Sequence, residues 1–208
     1  MTTTRRDVLH KCLAFGGVGV AAGFSPKAVI EAWAEQGTSR KATPVNEIGP
    51  FYKKRAPDSR VLRQPGDPGL PLSVSGKVWS ARGEALPGAV IEVWQADHVG
   101  HYDLEGYRYR ARVPADGEAL YSLETTMPGH YPARVGQHIH YLVTAPGHKP
   151  LITQLYFATD PAFEGDPDRN FTRDPLIRSR ELVRPVTLTP NEKEVRAAVT
   201  FELVLETL

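Results

Sequence analysis

Beyond residue 70 the chain is laid out in short runs of alternating apolar and polar positions, each closed by a turn signal. Leu72-Ser73-Val74-Ser75-Gly76-Lys77-Val78-Trp79 alternates, and Leu120-Tyr121-Ser122-Leu123-Glu124-Thr125 does so again. Ala89-Val90-Ile91-Glu92-Val93-Trp94 is apolar and β-branched, Gln137 to Thr144 and Ile152 to Phe157 are strongly strand-like, and Thr200 to Leu205 closes the chain. Alternation of this kind is the mark of a strand with one face buried. The runs are separated by Ala81-Arg82-Gly83-Glu84, Asp116-Gly117, Pro128-Gly129 and Pro146-Gly147, where Gly and Pro supply the backbone angles of tight turns. Many short strands at this spacing predict an all-β fold, a β-sandwich of mainly antiparallel strands with long loops. Thr189-Pro190-Asn191-Glu192 resembles a helix start, so a helix is expected near Asn191 to Val195.

The first 70 residues follow other rules. From 35 to 70, Pro44, Pro50, Pro57, Pro65 and Pro68 break any long element. An extended N-terminal arm with aromatic anchors at Phe51 and Tyr52 is expected. Residues 1–34 read as a targeting peptide: Arg5-Arg6 ahead of a mild apolar run from Leu13 to Phe24, then the small-x-small site Ala32-Trp33-Ala34. The arginine pair suggests the twin-arginine route and an exported protein, periplasmic or extracellular. The apolar run is shorter than the ~20 residues of a membrane-spanning helix. The domain plan is a signal over 1–34, the arm over 35–70 and the sandwich over 71–208.

Composition narrows the chemistry. Cys12 is the single cysteine and lies inside the signal, so the mature chain has neither disulfides nor thiolate ligands. Lys and Arg number 25 against 24 Asp and Glu. That balance calls for no nucleic acid. The mature form calls for no membrane either, and a homo-oligomer stays open.

Candidate chemistry centres on His138-Ile139-His140. In a strand, residues one apart from each other's neighbour project from one face, so two imidazoles can converge on a single ion. Imidazole suits several transition metals and does not choose among them. Tyr102 and Tyr131 narrow the choice. A phenol loses its proton near pH ~10 in water, and a strong Lewis acid such as Fe(III) can hold it as phenolate at neutral pH. Two tyrosines and two histidines suggest a ferric site, provided the four meet in space. Tyr107 and Tyr109 are alternative phenols. His98, His101 and His130 lie near the tyrosines in sequence, either as outer partners of a metal site or as exposed loop residues. Pro50 and Tyr52 are candidates for a pocket wall, Asp97 for orienting a loop, and Trp94 for the core.

Four segments fall in order along the chain: Gly49-Pro50-Phe51-Tyr52; Pro87 to Tyr102 with its Trp94-Gln95-Ala96; Met127-Pro128-Gly129-His130-Tyr131-Pro132 leading into His138-Ile139-His140; and Thr153-Gln154-Leu155-Tyr156-Phe157. From about Glu47 to the C-terminus the chain resembles the intradiol ring-cleavage dioxygenases, the family of catechol and protocatechuate 3,4-dioxygenases. The resemblance implies a β-sandwich catalytic domain and a mononuclear non-haem Fe(III) held by two tyrosinates, two histidines and a solvent hydroxide. It makes Tyr102, Tyr131, His138 and His140 the metal ligands, with Tyr131 as the axial tyrosine that leaves the metal when substrate binds. Gln154 matches a family glutamine at the edge of the pocket. The partners implied are a catechol-type small molecule and O2, and the product is a cis,cis-muconate-type diacid.

The chain departs from the family pattern in the loop before the histidines. An arginine is usual three residues before the first histidine, where it stabilises charge on the activated ring. Here Val135 holds that position, Arg134 lies one residue earlier, and the segment from Tyr131 to His138 is short. Either a one-residue slip brings Arg134 into the same space, or the role is lost and Gln137 becomes the candidate polar neighbour. The long helical N-terminal region of catechol 1,2-dioxygenases is missing. Two other readings compete: a metal-free β-sandwich binding module of an exported protein, and a zinc hydrolase using the histidine pair. Zinc would want a third Cys, His or carboxylate ligand, and none stands out.

Overall fold

The protein is described from a computed structural model covering residues 38–132, 134–190 and 194–208. The signal expected over 1–34 lies outside the described residues. Among the described residues ten strands form: β1 (Pro71–Ser80), β2 (Val90–Trp94), β3 (Arg110–Pro114), β4 (Leu120–Thr126), β5 (His138–Thr144), β6 (Leu151–Phe157), β7 (Val183–Arg184), β8 (Thr187–Pro190), β9 (Val195–Thr200) and β10 (Leu203–Leu205). One sheet runs β3-β2-β5-β6-β7, and the other gathers β10, β9, β8 and β4 around β1. Five of the eight pairings are antiparallel; β1 with β9, β1 with β10, and β6 with β7 are parallel.

Alternation builds the core between the sheets. Leu72 and Val74 of β1, Tyr121 and Leu123 of β4, and Ala197 and Val199 of β9 share one cluster with Ile91, Val93, Ala111, Val113, Ile139, Tyr141 and Val143 of the other sheet. Burying a large apolar side chain contributes about 1.5–3 kcal/mol. Ring contacts cross the layers: the Tyr121 and Tyr141 centroids are 6.5 Å apart, and those of Tyr141 and Phe201 5.3 Å. The run Thr200 to Leu205 is not one strand as expected. It breaks at Phe201-Glu202, where the Phe201 carbonyl presses on Gly76 and accepts from the Tyr121 hydroxyl at 2.6 Å. The break lets β9 pair with the first half of β1 and β10 with the second.

The helix expected near Asn191 to Val195 meets only partly described chain, and Val195 itself opens β9. Arg196 and Ala198 there are exposed while Ala197 and Val199 are buried, the period of a strand. Helical structure lies instead between β6 and β7, in short turns at Pro161–Phe163, Phe171–Arg173 and Arg180–Leu182, and in α1 (Pro167–Asn170). Asp160 and Asp166 cap the first turn and α1, each followed by Pro.

The arm is a transverse strap. It bonds to β10 through Thr43 N to Val204 O and to β6 through Asn46 N to Ile152 O. It then passes His140 of β5 at Gly49, meets β2 through Tyr52, and reaches β3 at the Asp58–Arg112 bridge. The outer face of the first sheet is thereby roofed. Among the described residues no helix is long and apolar enough to cross a membrane.

The Gly76 contact yields a stability prediction. A methyl group on Gly76 would meet the Phe201 carbonyl oxygen at 2.0 Å. Gly76→Ala should lower stability by about 1–3 kcal/mol, read as a lower denaturation midpoint. An unchanged midpoint would contradict the crossing described.

Candidate metal centre

Because Ile139 and Tyr141 of β5 enter the core, His138 and His140 face outward under the strap. Register then fixes their neighbours. His140 pairs with Trp94 on one side and Gln154 on the other, and His138 pairs with Tyr156. Cross-strand partners share a face, so Trp94, expected in the core and indeed buried, packs on the face of the histidines and stacks on the His140 ring at 4.9 Å and 5°. His138 and His140 stand 4.8 Å apart, nearly perpendicular.

Two loops bring the phenols over this floor. The Tyr102 loop is pinned by Asp97, whose Oδ1 accepts from the Val99 and His101 amides, and by Asp103, whose carboxylate accepts from the Glu105, Gly106 and Arg108 amides. Arg110 donates to Asp103 O and Phe51 O, tying loop to strap. Phe51 stacks on Tyr102 at 4.1 Å. Tyr131 meets Tyr102 edge-on at 5.6 Å, and its hydroxyl lies 3.4 Å from His138 Nε2. The structure thus brings Tyr102, Tyr131, His138 and His140 together. Tyr107 and Tyr109 point elsewhere, to Lys54 O and Asp67.

The electrostatics of this cluster are those of a dry donor set. The His138 Nδ1 sits 2.7 Å from Gly136 O, which places the proton there and leaves the Nε2 lone pair toward Tyr131 and Arg134. Burial, with the Arg134 charge adding to it, pulls His138 down to about 3; burial also holds His140 well below the imidazole range. Both rings are neutral and available as ligands. Burial pushes the Tyr102 phenol far up, with Tyr131 reinforcing it, and raises Tyr131 as well. Without a strong cation these phenols keep their protons. Tyr102 Oη faces the Tyr131 hydroxyl and His140 faces the Glu47 backbone, but neither contact has hydrogen-bond geometry, so Tyr102 Oη and both His140 nitrogens are buried without a partner. Orphaned buried polar atoms are costly. An ion accepting two imidazoles and two phenolates fits them. Among the described residues no group of three or more His, Cys, Asp or Glu converges, so the zinc reading finds no third ligand.

Residues 48–207 match the family model described as "Dioxygenase". The chain belongs to the intradiol ring-cleavage dioxygenase family. It is 32% identical over 164 residues to a catechol 1,2-dioxygenase of Acinetobacter lwoffii, covering 65% of this chain and 58% of that protein. It is 32% identical over 187 residues to a chlorocatechol 1,2-dioxygenase of Rhodococcus opacus, covering 76% and 70%. Against the first of these the chain therefore spans less than two thirds of the relative's length. Among solved structures, the dioxygenase domain of a dioxygenase carbohydrate-binding protein fusion from Streptomyces sp. SirexAA-E superposes with a TM-score of 0.68 at 32% identity, covering 81% of this chain and all of that one.

Within this dioxygenase fold Arg134, rather than Val135 or Gln137, turns toward the cluster. Arg134 N donates to Tyr131 O at 2.9 Å, and Pro132 follows Tyr131 at the position where such a close return favours proline. Arg134 is 8% exposed, whereas Val135 is 43% exposed. The guanidinium reaches His138 Nε2 at 3.3 Å, Gln154 Oε1 at 2.9 Å and Tyr156 Oη at 2.5 Å. Gln137 has turned away and lines a separate cavity with His98 and Met127. Gln154 is fixed from the strap by donating to Glu47 O at 2.6 Å. His101 is exposed, while His130 is engaged by the buried Asp160 at 2.9 Å.

Sequence reading passes over Asn46, Tyr156, Asp160 and Asp174. Tyr156 carried a signal, since it follows Gln154 at strand spacing and shares its face. Asn46 meets Tyr156 at 3.3 Å from far along the chain, and the two aspartates come from an aperiodic segment; only the fold reveals these three.

Asp103 offers a test of the Tyr102 loop. The Gly106 amide, followed by the Arg108 amide, holds its carboxyl below the usual carboxylate value. A depressed folded value means the loop's protection is present above the ordinary carboxylate pKa of ~3.9 and is lost as pH falls through the lower one. Hydrogen exchange should show the Gly106 and Arg108 amides protected at neutral pH and released in Asp103→Ala. Equal exchange in both proteins would contradict the loop's anchoring.

Proposed function

We propose that the chain is a non-haem Fe(III) dioxygenase that opens the ring of a catechol-type aromatic between its two hydroxyl-bearing carbons, using O2 and giving a cis,cis-muconate-type diacid. The observation that carries the reading is the dry convergence of Tyr102 and His140, with unpartnered polar atoms, beside Tyr131 and His138. In this reading those four residues hold the iron. When bound, a ferric ion supplies Lewis acidity that stabilises phenolates and templates the two oxygens of a catechol. The names of the relatives, catechol and chlorocatechol dioxygenases, support that substrate class.

The chain's own residues divide the remaining tasks. Tyr102, stacked under Phe51 in a loop pinned by two aspartates, would be the more firmly held of the two phenolate ligands. Tyr131 meets Phe51 and Tyr102 edge-on and His138 at a tilt, with no stacked ring over it, and can swing out. Its phenolate can accept a proton from a substrate hydroxyl as a positioned general base. Arg134 presents both Nη groups beside His138 and Gln154, where negative charge on the ring would develop. Trp94 and the strap at Gly49 close the two sides of His140 and keep water from it. Export to the periplasm or beyond is supported by the Arg5-Arg6 pattern alone.

The iron-loaded protein should be burgundy from tyrosinate charge transfer; an iron-loaded but colourless sample would remove the reading. His138→Ala and His140→Ala should lose the metal. Tyr131→Phe should keep iron and slow turnover by about 10²–10⁴-fold, the usual worth of a positioned base, so unaltered turnover in oxygen-uptake assays would refute its role. Arg134→Ala should reduce ring cleavage with iron retained.

A further inference from the structure

Arg134 is a long side chain in a short loop, and something must aim it. The guanidinium's inner edge carries both Nη groups to His138, Gln154 and Tyr156, leaving Nε on the adjacent edge. There Nε donates to Asp174 Oδ2 at 3.3 Å. Asp174 is 1% exposed and comes from the turn after Phe171–Arg173, far from the loop in sequence. Its position is itself fixed: Oδ2 accepts from the Gly136 amide at 3.0 Å and Oδ1 from the Leu176 amide at 2.9 Å. The carboxylate therefore fastens the loop on both sides of the exposed Val135, through the Arg134 side chain and the Gly136 backbone.

We propose that Asp174 is the positioning residue that directs Arg134 into the centre, so that an arginine one place earlier than the family pattern still faces the reacting ring. A buried guanidinium with one carboxylate partner at Nε is oriented about its long axis, because its five donors form a rigid planar fork. Asp174 touches neither the four candidate ligands nor the space between them; it acts through Arg134. The inference rests on the reading of the site as an iron dioxygenase centre, and the test separates the two.

The full-length chain is compared with Asp174→Ala, Asp174→Asn, Arg134→Ala and the Arg134→Ala/Asp174→Ala double variant. In the metal-free proteins, side-chain NMR of the Arg134 Nε–H reads the geometry without catalysis: a resolved, slowly exchanging resonance is expected in the parent and its loss in Asp174→Ala. In the iron-loaded proteins, Asp174→Ala should keep the visible band and lose about ten- to a hundredfold in kcat, and the double variant should be no slower than Arg134→Ala alone. Asp174→Asn keeps the shape of the side chain with one acceptor oxygen in place of two and no charge, so it carries the same cycle if Asp174→Ala does not fold. A parent-like Nε–H signal and turnover in the Asp174 variants would overturn the proposal, as would a further loss in the double variant. If the parent itself neither binds iron nor opens a catechol, the functional reading fails, and the NMR comparison still decides whether Asp174 holds Arg134.

Discussion

The alternation of β5 is the constraint from which the rest follows. Ile139, Tyr141 and Val143 must enter the core, because their burial joins the two sheets. The pleat then forces His138 and His140 to the other face. A slip of one residue would bury the imidazoles between the sheets and expose Tyr141. The same register lays Trp94 and Gln154 on either side of His140, so one hydrophobic pattern sets both the sandwich and the floor of the site.

What stands over that floor is held by polar contacts to backbone rather than by core packing. Asp97 and Asp103 pin the loop of Tyr102, Asp160 engages His130 and the Gln137 amide on either side of Tyr131 and Arg134, and Asp174 reaches Arg134 and Gly136. The strap closes the top, with Gly49 against His140. A side chain there would meet the ring at 2.9 Å, and the backbone φ of 68° favours glycine. The outcome is a set of neutral nitrogens and phenols kept out of water, which is costly for the chain alone and favourable for a cation that binds them.

The sequence made the sandwich legible wherever one face is apolar and the other polar, as in β1 and β4. It hid β3, where Arg110 and Arg112 mask the pattern, and the start of β9, where the helix-start signal ahead of Val195 competes with a register that pairs Val195 onward as a strand. The His-x-His pair and the two tyrosines could be read because strand spacing and motif context mark them. The sequence left open whether Arg134 or Gln137 stands beside the histidines, because the contacts that draw Arg134 inward come from Asp174, Gln154 and Tyr156, all distant in sequence. Carboxylates that act at long range leave no periodic trace.

The most direct measurement is a crystal structure of the iron-loaded chain with anomalous scattering collected at the iron edge. The account predicts one peak within bonding distance of Tyr102 Oη, Tyr131 Oη, His138 Nε2 and His140 Nε2. A peak elsewhere, or one reached by the histidines while Tyr102 Oη points away from it, would contradict the account.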